Sequence, residues 1–304
     1  MAQFRTRRAA LDGILLIDKP EGLTSHDVVA HVRRLLRPGV TKVGHAGTLD
    51  PFATGLLVVL VGRATKLARF FVDLPKEYEC TMQFGTRSDT GDGTGTLVDT
   101  GVAVERAVLE AALPDFRGAV LQRVPMTSAV KVDGERLYKK AHRGEVVETP
   151  MKEVEISAIE MLDFDHAAQR MRCRIACSKG TYVRQLAIDL GEVLGGAGAY
   201  LRELTRTATG DLRLGDAQTL DAFGEAVAAR GEGDEHIPGL VVPASALSFL
   251  PVVELAAAQV LPVRNGARLP GGPREPVRVM HRGELIAVYG PAEEGRALKL
   301  LVRL

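Results

Sequence analysis

The stretch Gly44-His45-Ala46-Gly47-Thr48-Leu49-Asp50-Pro51 sets one carboxylate, Asp50, where the backbone is under tight control. Gly44 and Gly47 admit backbone angles closed to other residues, and Pro51 steers Asp50 away from the helical region. From Val28 to Leu49 the chain carries Arg33, Arg34, Arg37 and Lys42 and no acidic residue, a segment suited to a polyanion. One carboxylate beside a phosphate-binding surface is an arrangement for chemistry on nucleic acid. Taken alone, the motif is equally well an Asp-Pro turn, so the rest of the chain has to decide.

Other chemistries find little support. The seven histidines form no HExxH set and the cysteines no CxxC, so no zinc site is expected. There is no GxxxxGKS/T loop and no strand-linked GxGxxG, and Gly195-Gly196-Ala197-Gly198 reads as a helix stop, so no nucleotide cofactor is expected either. Cys80, Cys173 and Cys177 read as reduced core thiols. Cys173 and Cys177 fall on one strand pattern, about 13 Å apart over four strand steps, beyond the roughly 7 Å Cα limit for a disulfide.

The elements that must position Asp50 come from 304 residues of ordinary globular composition, 46% hydrophobic and 25% charged, enough for two domains. The net charge of +1 hides an uneven distribution. Residues 117–152 carry eight Lys/Arg against four Asp/Glu, whereas 221–236 carry five acids and one arginine. No apolar run approaches the roughly 20 residues of a membrane span, and the Arg5/Arg7/Arg8 start lacks a signal-peptide core, so a cytoplasmic location is expected.

Gly13 to Asp18 reads as a short apolar strand halted at Lys19-Pro20. Thr24-x-x-Asp27 resembles a capping box opening an amphipathic helix with Val28, Val29, Val32, Leu35 and Leu36 on one face. Tyr78, Cys80, Met82 and Phe84 alternate with Glu77, Glu79, Thr81 and Gln83, and Met171, Cys173, Ile175 and Cys177 repeat the pattern, which predicts a sheet with one polar face. From Val183 the spacing of Leu186, Ala187, Leu190 and Leu194 is helical, with Gly195 as the stop, and 135–143 reads as a short basic helix. Gly231-Glu232-Gly233-Asp234-Glu235-His236 has the composition of a linker. After about residue 250, turn signals at Asn265-Gly266, Pro270-Gly271-Gly272-Pro273 and Arg282-Gly283 predict a small β-rich domain.

Four segments in this order, Lys19-Pro20, the Gly44–Pro51 octapeptide, Cys177-Ser178-Lys179-Gly180-Thr181-Tyr182-Val183-Arg184 and Ala199-Tyr200-Leu201-Arg202-Glu203-Leu204-Thr205-Arg206, resemble the bacterial tRNA pseudouridine-55 synthases. The resemblance implies an α+β fold with a mixed, largely antiparallel catalytic sheet over residues 1–240. It also implies a T-arm-clamping insertion near 123–152 and a PUA-like RNA-binding domain over 250–304. The implied reaction converts one uridine in the tRNA T-loop to pseudouridine without a cofactor. The chain is expected to work as a monomer.

The resemblance also distributes roles. Asp50 matches the catalytic aspartate, acting as nucleophile on the ribose carbon or on C6 of the base, or taking a proton on the way to a glycal; the sequence leaves the three routes open. Arg184 matches the active-site arginine and is expected to pair with Asp50 and favour its charged form. Tyr78 matches the tyrosine that stacks on the base, with a phenol able to serve proton transfer at C5, and Tyr182 and Leu201 match residues that pack around it. His45 matches the histidine that replaces the everted base, since a stacked uridine must be flipped out to react. Lys19 matches a motif lining the active-site region. Lys131, Arg136, Lys139, Lys140 and Arg143 belong to the insertion and are expected to grip phosphate. Apart from the resemblance, Tyr78 and Leu201 are core residues, His45 a loop histidine and Arg184 a surface arginine at a helix start.

Two rivals stand beside this reading. A catalytic subunit working with a guide RNA shares the catalytic motif, but the clamp-like pattern of 124–147 argues for action without a guide. An RNA chaperone that binds and refolds tRNA needs no chemistry, and the Asp50, Tyr78 and Arg184 set favours an enzyme.

Overall fold

The computed structural model describes residues 11–40, 42–231, 236–292 and 297–304. The basic start and residues 232–235 of the expected linker lie outside them.

Apolar runs and alternating runs build different halves of one ten-stranded sheet. Its strands run in the order Gln218–Thr219, Gly13–Lys19, Thr54–Val61, Ala199–Thr209, Lys76–Phe84, Arg170–Cys177, Met151–Asp165 and Gly118–Arg123. Val43–Ala46 adds to Thr54–Val61, and Leu212–Arg213 adds to Ala199–Thr209. Two pairings are parallel, Gly13–Lys19 with Gln218–Thr219 and Ala199–Thr209 with Thr54–Val61, and the others are antiparallel. The architecture is α+β, as expected.

Gly13–Lys19 and Thr54–Val61 are apolar almost throughout because both of their faces are covered. One face carries Leu15, Ile17, Leu57, Val59 and Val61 against Val28, Val29, Val32 and Phe223 of the Ser25–Leu35 and Leu220–Ala228 helices. The predicted capping box is present: Thr24 accepts from the Asp27 N–H at 3.1 Å, and Asp27 accepts from the Thr24 N–H at 2.9 Å. Lys76–Phe84 and Arg170–Cys177 pair antiparallel, with Tyr78 opposite Ile175, Cys80 opposite Cys173 and Met82 opposite Met171. Their apolar face packs on Leu186, Ala187 and Leu190 of the Val183–Val193 helix. The other face is polar, with Arg174 bridging Glu79 and Glu160 at 3.3 Å each. All three cysteines are free and buried, but it is Cys80 and Cys173 that meet, with sulfurs 3.2 Å apart, a contact that spacing along the chain does not show.

A second sheet of five strands, in the order Val252–Glu254, Val277–His281, Glu284–Pro291, Ala297–Arg303 and Leu269–Pro270, forms the β-rich C-terminal part. This is consistent with the PUA-like domain the resemblance implies. Arg282-Gly283 makes a hairpin turn with both residues at positive φ, as predicted. Asn265-Gly266 does something else: it ends the Ala257–Arg264 helix, with Gly266 at φ 87°.

The two sheets share apolar contacts. Met280, Leu285, Val288 and Val302 lie in one core cluster with Ile14, Leu56, Val58, Leu60 and Phe71 of the catalytic part. Arg278 holds the connection by donating to the carbonyls of Ala244, Ser248 and Leu250. Each apolar side chain covered this way contributes about 1.5–3 kcal/mol, against a total stability of roughly 5–15 kcal/mol for a domain. Deleting residues 251–304 is therefore expected to lower the melting temperature by about 10 °C or more. Calorimetry checks this, and an unchanged transition would show that the catalytic part does not need the cover.

Candidate active site

Asp50 lies in the loop between Val43–Ala46 and Thr54–Val61, and that loop is tethered from three sides. Ser25, at the start of its helix, accepts from the Leu49 N–H at 2.9 Å and donates to the Leu49 carbonyl at 3.2 Å. Lys19, wholly enclosed, donates from Nζ to the carbonyls of Pro20, Leu23 and Pro51 at 2.8, 2.7 and 3.2 Å. Arg206 reaches the Thr48 carbonyl with Nη1 at 3.4 Å. Within the loop, the Ala53 N–H donates to the Asp50 carbonyl at 3.1 Å. Gly47 sits at φ 91°, a conformation that favours glycine, whereas Gly44 is a strand residue opposite Leu60 and does not use the left-handed freedom expected of it.

Arg184 organises the centre. It is buried in the first turn of the Val183–Val193 helix, and its Nε donates to Asp50 Oδ2 at 2.9 Å. Nη1 donates to the Thr90 carbonyl at 2.9 Å and also contacts the Thr127 hydroxyl, while Nη2 donates to the Thr127 carbonyl at 3.2 Å. Asp92 stands 3.8 Å from Nη1, with its other oxygen accepting from the Thr94 N–H at 3.0 Å. The fork is thus locked in one plane by three chain segments and aims one donor at Asp50. The Arg184 side chain is 4% exposed and that of Asp50 33%, so the carboxylate keeps an open side while the cation has none.

Burial pushes the Asp50 carboxyl above the usual carboxylate range; Arg184 opposes this by charge and hydrogen bond, Asp92 adds to it, and Lys19 opposes it. The sequence leads one to expect the charge of Arg184 to dominate, but removal from water is the larger effect. Lys19 is pushed down to about 8, by burial above all, with Asp50 pulling the other way. Tyr78 is 9% exposed, and burial raises its phenol while Arg206 lowers it. The Tyr182 phenol is raised by burial and eased by Ser128. Both phenols also feel the charge of Asp50, so Asp50, Arg184, Lys19, Tyr78 and Tyr182 form one electrostatic group.

A family model for the TruB family pseudouridylate synthase, N-terminal domain, matches residues 33–183. The chain is 42% identical over 301 residues to the tRNA pseudouridine synthase B of Cupriavidus metallidurans, covering 97% of this chain and 91% of that protein. It is 41% identical to the protein of that name from Pseudomonas putida strain F1, covering 100% and 99%. This chain belongs to the TruB family of pseudouridylate synthases. Its fold is shared with two solved structures at a TM-score of 0.74. One is described as an H/ACA RNP bound to a substrate RNA containing 2'-deoxyuridine (24% identical, covering 97% of this chain and 85% of that one). The other is a Cbf5-Nop10-Gar1 complex (25% identical, covering 96% and 84%).

His45 is half-buried on Val43–Ala46, its Nδ1 3.1 Å from the Gly47 carbonyl, and burial lowers its proton affinity. Leu201 is wholly buried opposite Met82, its N–H on the Gly91 carbonyl at 3.0 Å. The leucine of that strand that borders open space is Leu204, which lines a cavity of about 650 Å³ with Phe52, Thr54 and Tyr200. The strand carries a bulge between Leu201 and Glu203, and a bulge changes which side chains point inward.

The basic residues of the insertion divide in two. Arg143 is committed to Glu135 and Glu145 at 2.7 Å each, and Lys140 stands 3.7 Å from Asp133. Lys131, Arg136 and Lys139 are exposed, and none of the ion pairs among the described residues involves them. Replacing these three by alanine is expected to weaken tRNA binding about tenfold or more at physiological salt and to flatten the salt dependence by roughly two to three units of slope. Filter binding across a salt series checks this. An unchanged slope would place the phosphate contacts elsewhere.

Several site residues escaped the sequence reading. Thr127, Thr90 and Asp92 hold Arg184 from segments far from it in sequence. Gln122, 1% exposed on the Gly118–Arg123 strand, accepts from the Tyr182 N–H at 3.1 Å and donates to its carbonyl at 3.4 Å. The signal that could reveal them is the run Ser88-Asp89-Thr90-Gly91-Asp92-Gly93-Thr94, whose short polar side chains are of the kind that bond to nearby backbone.

Proposed function

We propose that the chain, a tRNA pseudouridine synthase by family, isomerises uridine 55 in the T-loop and needs neither guide RNA nor cofactor. The observation that carries this is the Arg184-locked carboxylate of Asp50, in a chain more than 40% identical over nearly its whole length to proteins of that name. Isomerisation breaks the bond from ribose C1′ to N1, turns the base and joins C5 to C1′, with no change of oxidation state. A carboxylate can serve each open route, by attack on C1′, by attack on C6 or by taking a ribose proton.

In this reading Tyr78 stacks on the everted uracil, and Tyr182 and Leu204 close around it, with Leu201 in support behind. His45 fills the gap in the loop, and Lys19 holds the Pro51 carbonyl beside Asp50. Lys131, Arg136 and Lys139 grip the T-arm. A bacterial enzyme of this kind works where tRNA is matured, in the cytoplasm; among the described residues no helix is long and apolar enough to cross a membrane.

If the grip is confined to the T-arm, an isolated T-stem-loop is expected to react within about tenfold of full-length tRNA at saturating enzyme, a factor corresponding to about 1.4 kcal/mol. Tritium release from C5-labelled uridine measures both. A hairpin that stays inert where tRNA reacts would contradict this substrate assignment.

A further inference from the structure

Arg206 is a cation in an unusual place. It is 1% exposed and directly opposite Tyr78 across the strand pair. Its Nε donates to the Leu56 carbonyl at 2.7 Å and its Nη1 reaches Thr48; Nη2 is buried without a well-formed hydrogen bond, and the neighbour that feels the guanidinium by hydrogen bond as well as charge is the neutral Tyr78 phenol, not a carboxylate. No carboxylate of the described residues forms an ion pair with it. Gly55 makes this seat possible, since a Cβ there would meet the Arg206 carbonyl at 2.4 Å. The charge is felt all around: it lowers the proton affinity of Lys19, His45, Lys76 and the Tyr78 phenol. A buried, uncompensated guanidinium is costly to folding, and such a cost is kept where function needs it.

The reaction supplies the missing negative charge. When the C1′–N1 bond breaks, its electron pair stays with the base and makes a uracil anion with charge on N1, O2 and O4. C1′ is satisfied by the Asp50 carboxylate, or by a C1′–C2′ double bond after loss of the C2′ proton. When C5 attacks C1′, the ring's negative charge goes into the new bond and the Asp50 carboxylate is released, or on the glycal route the C2′ proton is returned; loss of the C5 proton and gain of one at N1 then give neutral pseudouridine. Attack on C6 instead pushes electrons onto C5 and O4. On every route open to Asp50 the pyrimidine passes through an anionic form beside Tyr78.

We propose that Arg206 is a positioning residue for charge: its buried, unpaired guanidinium, beside Tyr78, stabilises the uracil anion while its bond to Thr48 holds the Asp50 loop. The inference rests on the proposed isomerase reading. It extends that reading by assigning the field that favours the departing base, since fixed charge in a dry site acts most strongly where charge develops.

Single-turnover rates at saturating tRNA test it with Arg206→Gln, which removes the charge, and Arg206→Lys, which keeps it. The Gln variant is expected to be slower by about 10²-fold, with tRNA affinity within about threefold, and the Lys variant to recover at least tenfold of that loss. The decisive comparison uses tRNA with 5-fluorouridine at the target, whose base is a better anion, with the reaction read as loss of 5-fluorouridine from nuclease digests. The Gln defect should shrink to less than tenfold. An equal defect on both substrates, a Lys variant as slow as Gln, or failure of both variants to fold would each make Arg206 a structural residue and overturn the proposal. A wild-type protein inactive on tRNA would instead remove the isomerase reading beneath it.

Discussion

Asp50→Asn forms no pseudouridine, even at high enzyme and long incubation, while tRNA binding stays within a few fold of wild type. The amide keeps the shape of the side chain and removes both nucleophile and charge, so each open route loses its reacting group. Arg184 does not become an isolated cation, because Asp92 remains 3.8 Å away and the Thr90 and Thr127 contacts persist. Burial raises the Asp50 carboxyl, so ionising it works against folding: stability falls as pH rises from the unfolded value through the folded one and is level above. The Asn variant escapes that effect and should fold. Tritium release and filter binding on one preparation check the prediction. Turnover by the variant would reject Asp50 as the reacting group, and lost binding in a folded variant would make it an RNA contact.

Arg184→Met is expected to slow the single-turnover step by about 10²–10³-fold with tRNA affinity little changed, the usual scale for removing one fixed electrostatic partner. It should also move the acid limb of the pH-rate profile. The proposed chemistry needs the Asp50 carboxylate ionised, and the wild-type limb should lie above the ordinary carboxylate value because burial raises Asp50. Arg184 is the chief opposing influence, so its loss shifts the limb to still higher pH. An unmoved limb would mean that another group governs it. The proposed phosphate contacts in the insertion are remote from Arg184, which is why affinity and rate should separate.

The legible parts of this protein are those governed by local rules. The Thr24–Asp27 capping box, the alternation around Tyr78 and Cys173, the helix from Val183 and the Arg282-Gly283 turn each follow from period or cap chemistry within a few residues. The pairing of Arg184 with Asp50, 134 positions apart, was reached through resemblance to a family, since nothing near either residue encodes it.

What stayed hidden depends on three-dimensional neighbours. Leu201 and Leu204 are indistinguishable by type, and only the folded chain shows that Leu204 borders a cavity while Leu201 is wholly enclosed. Lys140 and Arg143 look as available as Lys131 until Asp133, Glu135 and Glu145 fold back on them. Asn265-Gly266 has the composition of a hairpin turn but closes a helix. Arg206 sits in a recognised motif, yet its burial without a counter-ion becomes visible only when Gly55 and Tyr78 are brought alongside.

If the proposed activity is right, this chain alone turns one T-loop uridine into pseudouridine. The most direct measurement incubates the purified protein with an unmodified tRNA transcript, no other RNA present, and maps pseudouridine along the product. Stoichiometric conversion at position 55 and nowhere else is expected. No pseudouridine, conversion at another position, or conversion only after a second RNA is added would contradict it.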